Sequence, residues 1–158
     1  MNNSLITSIL TGALLFGSCT EKPTVTKEMQ FPEGEVQHAV HAKKIDWKPT
    51  PPNLPKGAQI AVLEGNPKEE GMFTVRFKMT DDFFMPAHTH PKNERVTIIQ
   101  GKAYVAFGEG AKKEEATTFG SGDYYVNARD AIHTVWADSG CILQITGIGP
   151  WEANFIED

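Results

Sequence analysis

The chain has 158 residues, 40% of them hydrophobic, and carries 15 Lys and Arg against 20 Asp and Glu for a net charge of −5. The basic pair Lys112-Lys113 runs straight into Glu114-Glu115, so the chain lacks the electrostatic footprint of a nucleic-acid binder.

From the N-terminus, an apolar stretch runs from Leu5 to Phe16. It is too short to cross a bilayer stably and suits the core of a signal peptide, which sets a signal peptide over residues 1–18. Gly17-Ser18-Cys19 follows and resembles a bacterial lipobox, in which Cys19 becomes the lipidated first residue. The expectation is an exported protein, periplasmic or anchored in a bacterial envelope by a lipid on Cys19, its only contact with a membrane. Cys141 is then left without a partner inside the apolar run Cys-Ile-Leu-Gln-Ile and reads as a small buried hydrophobe.

Residues 19–57 read as an extended linker. Six of the ten prolines fall between Glu21 and Lys56, with few apolar runs between them. Trp47 interrupts this composition and implies that part of the segment lies back on the following domain. His38 and His41 sit here too and read as solvated side chains.

Residues 58–158 are long enough for one hydrophobic core and too short for two, which gives one domain. Met72 to Met79 alternates cleanly, with Phe73, Val75, Phe77 and Met79 on one face and Thr74, Arg76 and Lys78 on the other. Short β-rich runs recur at Gln59–Leu63, Arg95–Gln100, Ala103–Phe107, Asp123–Val126, Ile132–Ala137, Ile142–Ile148 and Trp151–Ile156. Between them lie turn signals such as Glu64-Gly65-Asn66-Pro67, Gly120-Ser121-Gly122 and Asp138-Ser139-Gly140. Many short strands without amphipathic helices indicate an all-β sandwich or barrel.

The most specific chemical signal lies in Met85-Pro-Ala-His88-Thr-His90-Pro-Lys-Asn-Glu94. Residues two apart on a strand share a face, so His88 and His90 project together if this segment is extended. Pro91-Lys92-Asn93 reads as a turn that returns Glu94 beside them, and His133 is a fourth candidate on a later strand. Parity puts Val96 and Ile98 on the face of Glu94, and Val135 on the face of His133, so each candidate sits on an apolar inner surface. Imidazole with carboxylate is a ligand set that iron, manganese, nickel, copper and zinc all accept.

With these residues placed, the chain resembles a cupin, of the small single-domain bacterial kind. The first cupin motif ends in His-x-His, three or four residues, Glu, six residues and Gly, which His88, His90, Glu94 and Gly101 match; its opening glycine is replaced by Asp82. The second motif is represented by Gly122, Ala128, Asp130, His133 and Ala137, where only Gly122 and His133 keep the motif residue. The resemblance implies a small jelly-roll β-barrel holding a divalent metal ion through His88, His90, Glu94 and His133. It also implies a metal-dependent oxidoreductase of dioxygenase type acting on a small organic molecule, with Glu94 taking a proton as substrate binds. A non-catalytic, envelope-tethered cupin that binds or senses a metal or small anion is the alternative, as is a metal-dependent isomerase. Pairing of two copies through a sheet edge is a further expectation.

Overall fold

The structure is a computed structural model and describes residues 28–156. The signal peptide and Cys19 lie outside the described residues. Eleven strands are found among those described: β1 (Lys48–Pro49), β2 (Ala58–Glu64), β3 (Gly71–Met79), β4 (Phe83–Thr89), β5 (Glu94–Gln100), β6 (Lys102–Phe107), β7 (Thr117–Gly120), β8 (Tyr124–Asn127), β9 (His133–Ala137), β10 (Ile142–Gly149) and β11 (Asn154–Phe155). Two single turns of 3-10 helix, Ala42–Lys44 and Lys113–Glu115, are the only helical elements among them.

The strands form two antiparallel sheets, one ordered β1-β2-β3-β10-β5-β8 and the other β11-β4-β9-β6-β7. The fold is an all-β jelly roll. Alternation builds its core: Phe73, Val75, Phe77 and Met79 of β3 are all buried, as are Val96 and Ile98 of β5 and Leu143 and Ile145 of β10. The opposite face of the larger sheet carries polar ladders, with Arg76 Nε donating to Gln144 Oε1 at 3.0 Å and Thr74 facing Thr146 across 3.3 Å. Gln144 and Thr146 therefore belong to the outer surface and not to the site.

The N-terminal segment packs along this sheet. β1 pairs with β2, Lys78 Nζ lies 5.9 Å from the Trp47 ring centroid, and the exposed His38 places Nε2 2.7 Å from the carbonyl of Leu63. Trp47 thus serves as the contact its place in a proline-rich stretch implied.

Two elements depart from the sequence reading. The run Trp151–Ile156 forms a strand only at Asn154–Phe155, because Trp151 leaves the sheet and turns its indole toward Glu94. β4 is the second, because Pro86 interrupts its pattern. Its pairing with β9 is irregular between Met85 and His88, and Pro86 falls in that irregularity, where a residue without an N–H costs the ladder nothing. The irregularity also resets parity. Phe83 and Met85 face inward, and so do His88 and His90, which an unbroken alternation forbids.

Candidate metal centre

All four expected residues meet at one end of the barrel. His88 stands near the end of β4, Glu94 opens β5 and His133 opens β9, while His90 follows β4 directly. His88 and His133 are direct cross-strand partners. Ring centroids are 4.2 Å apart for His88 and His133, 4.8 Å for His88 and His90, and 5.2 Å for His90 and His133. One nitrogen from each of the three rings lies within 4.8 Å of the other two, and all three residues are buried.

Each ring is oriented by a backbone carbonyl at its other nitrogen. His88 Nδ1 is 2.8 Å from the carbonyl of Pro86, His90 Nδ1 is 2.6 Å from that of Glu152, and His133 Nδ1 is 3.0 Å from that of Ala131. A carbonyl only accepts, so each Nδ1 carries the proton and each Nε2 keeps its lone pair. Two of these carbonyls lie two residues before the histidine they hold, so the strand orients its own ligand. This second contact is the support that metal-bound imidazoles require.

Glu94 is pinned at both oxygens. Trp151 Nε1 donates to Oε1 at 3.1 Å and Asn127 Nδ2 donates to Oε2 at 3.0 Å. Oε1 also lies 3.3 Å from His90 Nε2, and Oε2 lies 3.9 Å from His133 Nε2. Asn127 Nδ2 is 3.0 Å from His133 Nε2 as well, so one amide links the carboxylate to an imidazole.

His90 Nε2 is a buried nitrogen with no hydrogen-bond partner, facing a carboxylate oxygen. Two acceptors at this separation call for a cation between or beside them. The donor set and this orphaned atom fit a divalent metal ion.

The electrostatics agree. Burial, then the charge of His133, pushes His88 down to about 4, and burial lowers His133 as well, so both are neutral and ready to ligate near neutral pH. For His90, burial acts downward but the adjacent Glu94 carboxylate outweighs it, and the net direction is upward. Burial alone raises the Glu94 carboxyl, but the adjacent His90, with His133 and His88 behind it, brings it down to about 2.

Beneath the histidines lies an apolar cavity between the sheets, lined by Phe83 and Met85 of β4, Val96 of β5, Tyr125 of β8, Val135 of β9 and Leu143 of β10, among others. Leu54 and Thr50 of the N-terminal segment complete its wall. Phe84, in contrast, points outward against Trp136, with ring centroids 5.7 Å apart. Tyr104 is also outside, donating its hydroxyl to Asp138 Oδ2 at 3.0 Å, and Tyr124 is exposed. Cys141 is fully buried, and burial pushes its thiol up to about 11, which suits packing rather than nucleophilic chemistry. His38 and His41 take no part in the cluster.

Sequence reasoning missed Asn127 and Trp151. Asn127 shares the inward parity of Tyr125 and stands directly opposite Glu94 in the β5–β8 pair, a register that only the fold supplies. Trp151 arrives by a loop, where parity says nothing.

Comparison with known proteins agrees with this architecture. Among solved structures, a candidate acetylacetone dioxygenase of Methylibium petroleiphilum PM1 is 22% identical, with a TM-score of 0.61 over 81% of this chain and 86% of that chain. An acetylacetone dioxygenase from Acinetobacter johnsonii is 21% identical, with a TM-score of 0.59 over 84% and 83%. The polyketide cyclase RemF from Streptomyces resistomycificus is 13% identical, with a TM-score of 0.59 over 78% and 89%. At these identities the likeness is one of fold. No curated protein matches the chain. A family model for the ChrR cupin-like domain matches residues 35–150, a span that contains all three histidines and Glu94, and the chain belongs to that cupin family.

Proposed function

We propose that the protein is a metal-dependent oxidoreductase of dioxygenase type that acts on a small organic molecule with an enolisable or anionic head. One observation carries this reading: three buried imidazoles turn their Nε2 atoms to one point beside a pinned carboxylate, above an apolar cavity. His88, His90 and His133 would hold a divalent ion, with Glu94 completing the set, and such an ion would supply Lewis-acid polarisation of substrate oxygens and open positions for substrate and dioxygen. Three neutral imidazoles, one carboxylate and a divalent ion leave about one net positive charge, which favours an anionic or enolate head.

The chain's own residues supply the rest. Glu94 stands at the cluster, 3.3 Å from His90 Nε2 and 3.9 Å from His133 Nε2, so it is placed to accept a proton as an enolisable substrate binds. Asn127 and Trp151 keep its oxygens oriented. The cavity below is walled by apolar side chains such as Phe77, Val96 and Leu143, so an apolar part of a substrate would meet apolar surface there. Diketones enter as test substrates because two structures of similar fold are acetylacetone dioxygenases by name.

Export by the N-terminal apolar segment, lipidation of Cys19 and pairing through a sheet edge remain part of this proposal. The exposed Tyr124 and Val126 on edge strand β8 support the last.

Oxygen uptake tests the reading. The iron-loaded protein is expected to consume dioxygen with at least one of acetylacetone, catechols, flavonols and thiols, and not when His88→Ala replaces wild type. Stoichiometric metal without uptake on any of them rejects the oxygenase and favours a metal-binding or sensing cupin. Turnover without dioxygen favours the isomerase.

A further inference from the structure

The matched family region ends at residue 150, yet the next residues touch three of the four members of the site. Trp151 donates to Glu94 Oε1 at 3.1 Å and stacks on His90 at 5.2 Å between centroids, with the planes 22° apart. The carbonyl of Glu152 accepts from His90 Nδ1 at 2.6 Å. The Phe155 ring lies 5.9 Å from that of His88. The segment is fastened at both ends, by Trp151 N to the Pro67 carbonyl at 2.6 Å and Ile156 N to the Ala87 carbonyl at 2.9 Å.

We propose that residues 151–156 are a structural wall of the metal centre, and that Trp151 is the positioning residue that sets the orientation of the Glu94 carboxylate. This rests on the metal-binding reading above. A carboxylate turns readily about its terminal torsion, where the energy wells are broad and twofold. Two donors, one on each oxygen, remove that freedom. Asn127 holds Oε2 from within the barrel, and Trp151 holds Oε1 from outside the family region. Without the indole N–H, Oε1 is free to leave its place 3.3 Å from His90 Nε2. Trp151 also reaches the core, with its ring centroid 6.4 Å from Phe73 and 6.2 Å from Phe77. A phenyl ring keeps an apolar aromatic side chain in that place but cannot donate, and the far-ultraviolet spectrum tells a loss of packing from a loss of the donor.

Cobalt(II) titration of the full chain is the test, read by affinity and by the visible d–d band that reports coordination geometry. Trp151→Phe is expected to keep a wild-type far-ultraviolet spectrum, to bind cobalt(II) about 10-fold or more weakly, and to shift the band. Wild-type affinity and an unshifted band in Trp151→Phe overturn the proposal. Loss of fold in Trp151→Phe also overturns it, by making Trp151 a core residue only. Failure of the wild-type chain to bind cobalt(II) sinks the metal-binding reading itself, and the wild-type titration tells that failure from the other two.

Discussion

Asn127 stands directly opposite Glu94 in the β5–β8 pair and divides its amide between Glu94 Oε2 and His133 Nε2, each at 3.0 Å. Both acceptors are buried, so the amide is what water cannot replace. Asn127→Leu leaves them without that donor. The expected result is a loss of about 1–3 kcal/mol in the metal-free protein, measured by urea unfolding. Metal affinity is expected to fall about 10-fold to 100-fold, as for other residues that orient ligands. Unchanged values in both measurements remove Asn127 from the site.

Metal binding should appear in thermal stability. A ligand that binds only the folded state, at about 100 times its dissociation constant, adds about 2.7 kcal/mol, or roughly 10–20 °C for a domain of about 100 residues. Wild type is expected to show this rise with zinc, nickel or manganese. His88→Ala and His133→Ala, which remove Nε2 atoms from the cluster, are expected to show none and to retain no stoichiometric metal. A rise that survives in both variants places the metal elsewhere.

Most of the strands and the four converging residues were legible because alternation is a local property. Phe73, Val75, Phe77 and Met79 follow it without fault, and so do Glu94, Val96 and Ile98. The second motif is legible in a subtler way. Asp130 occupies a position where the motif has glycine, and it takes a positive φ of 60°, so the backbone demand survives the change of residue. Asp tolerates that region better than most side chains. Asn127 and Trp151 were not legible because a register and a loop path bring them in, and neither is written in nearby spacing. β4 was obscured by Pro86 at its irregularity, which breaks the period on which strand recognition depends.

Gly101 provides a test of the turn that follows the first motif. Its φ is +79°, and a Cβ built there would lie 2.9 Å from Cys141 Cα, a backbone atom that cannot move aside cheaply. Gly101→Ala is therefore expected to destabilise the fold by about 1–3 kcal/mol, through strain and a forced shift of the start of β10. The metal ligands lie at the other end of β5, so metal stoichiometry should persist. Equal stability of the variant in urea contradicts the close approach.

Stability against pH tests the site without any metal. His88 has an ordinary value of 6.5 and is held at about 4 by burial and by the charge of His133. The unfolded chain thus binds a proton that the folded chain refuses, so stability from this group is present above about pH 6.5 and is lost as pH falls toward 4. The loss is on the order of 3 kcal/mol for His88 at the low end of that window. His133 acts in the same direction, again chiefly through burial. His90, raised by Glu94, contributes stability that is fully present below about pH 6.5 and lost only as pH rises above it through its folded value, so it does not act in this window. Glu94, held at about 2, adds a further loss only between about pH 4.5 and 2. The two depressed histidines therefore set a net fall in stability between pH 6.5 and 4.5. In His88→Gln that fall should be markedly shallower, read as the change of urea midpoint with pH. A wild-type profile flat across this window means that His88 takes up its proton as readily in the folded protein as in the unfolded one, and overturns the depression assigned to its burial.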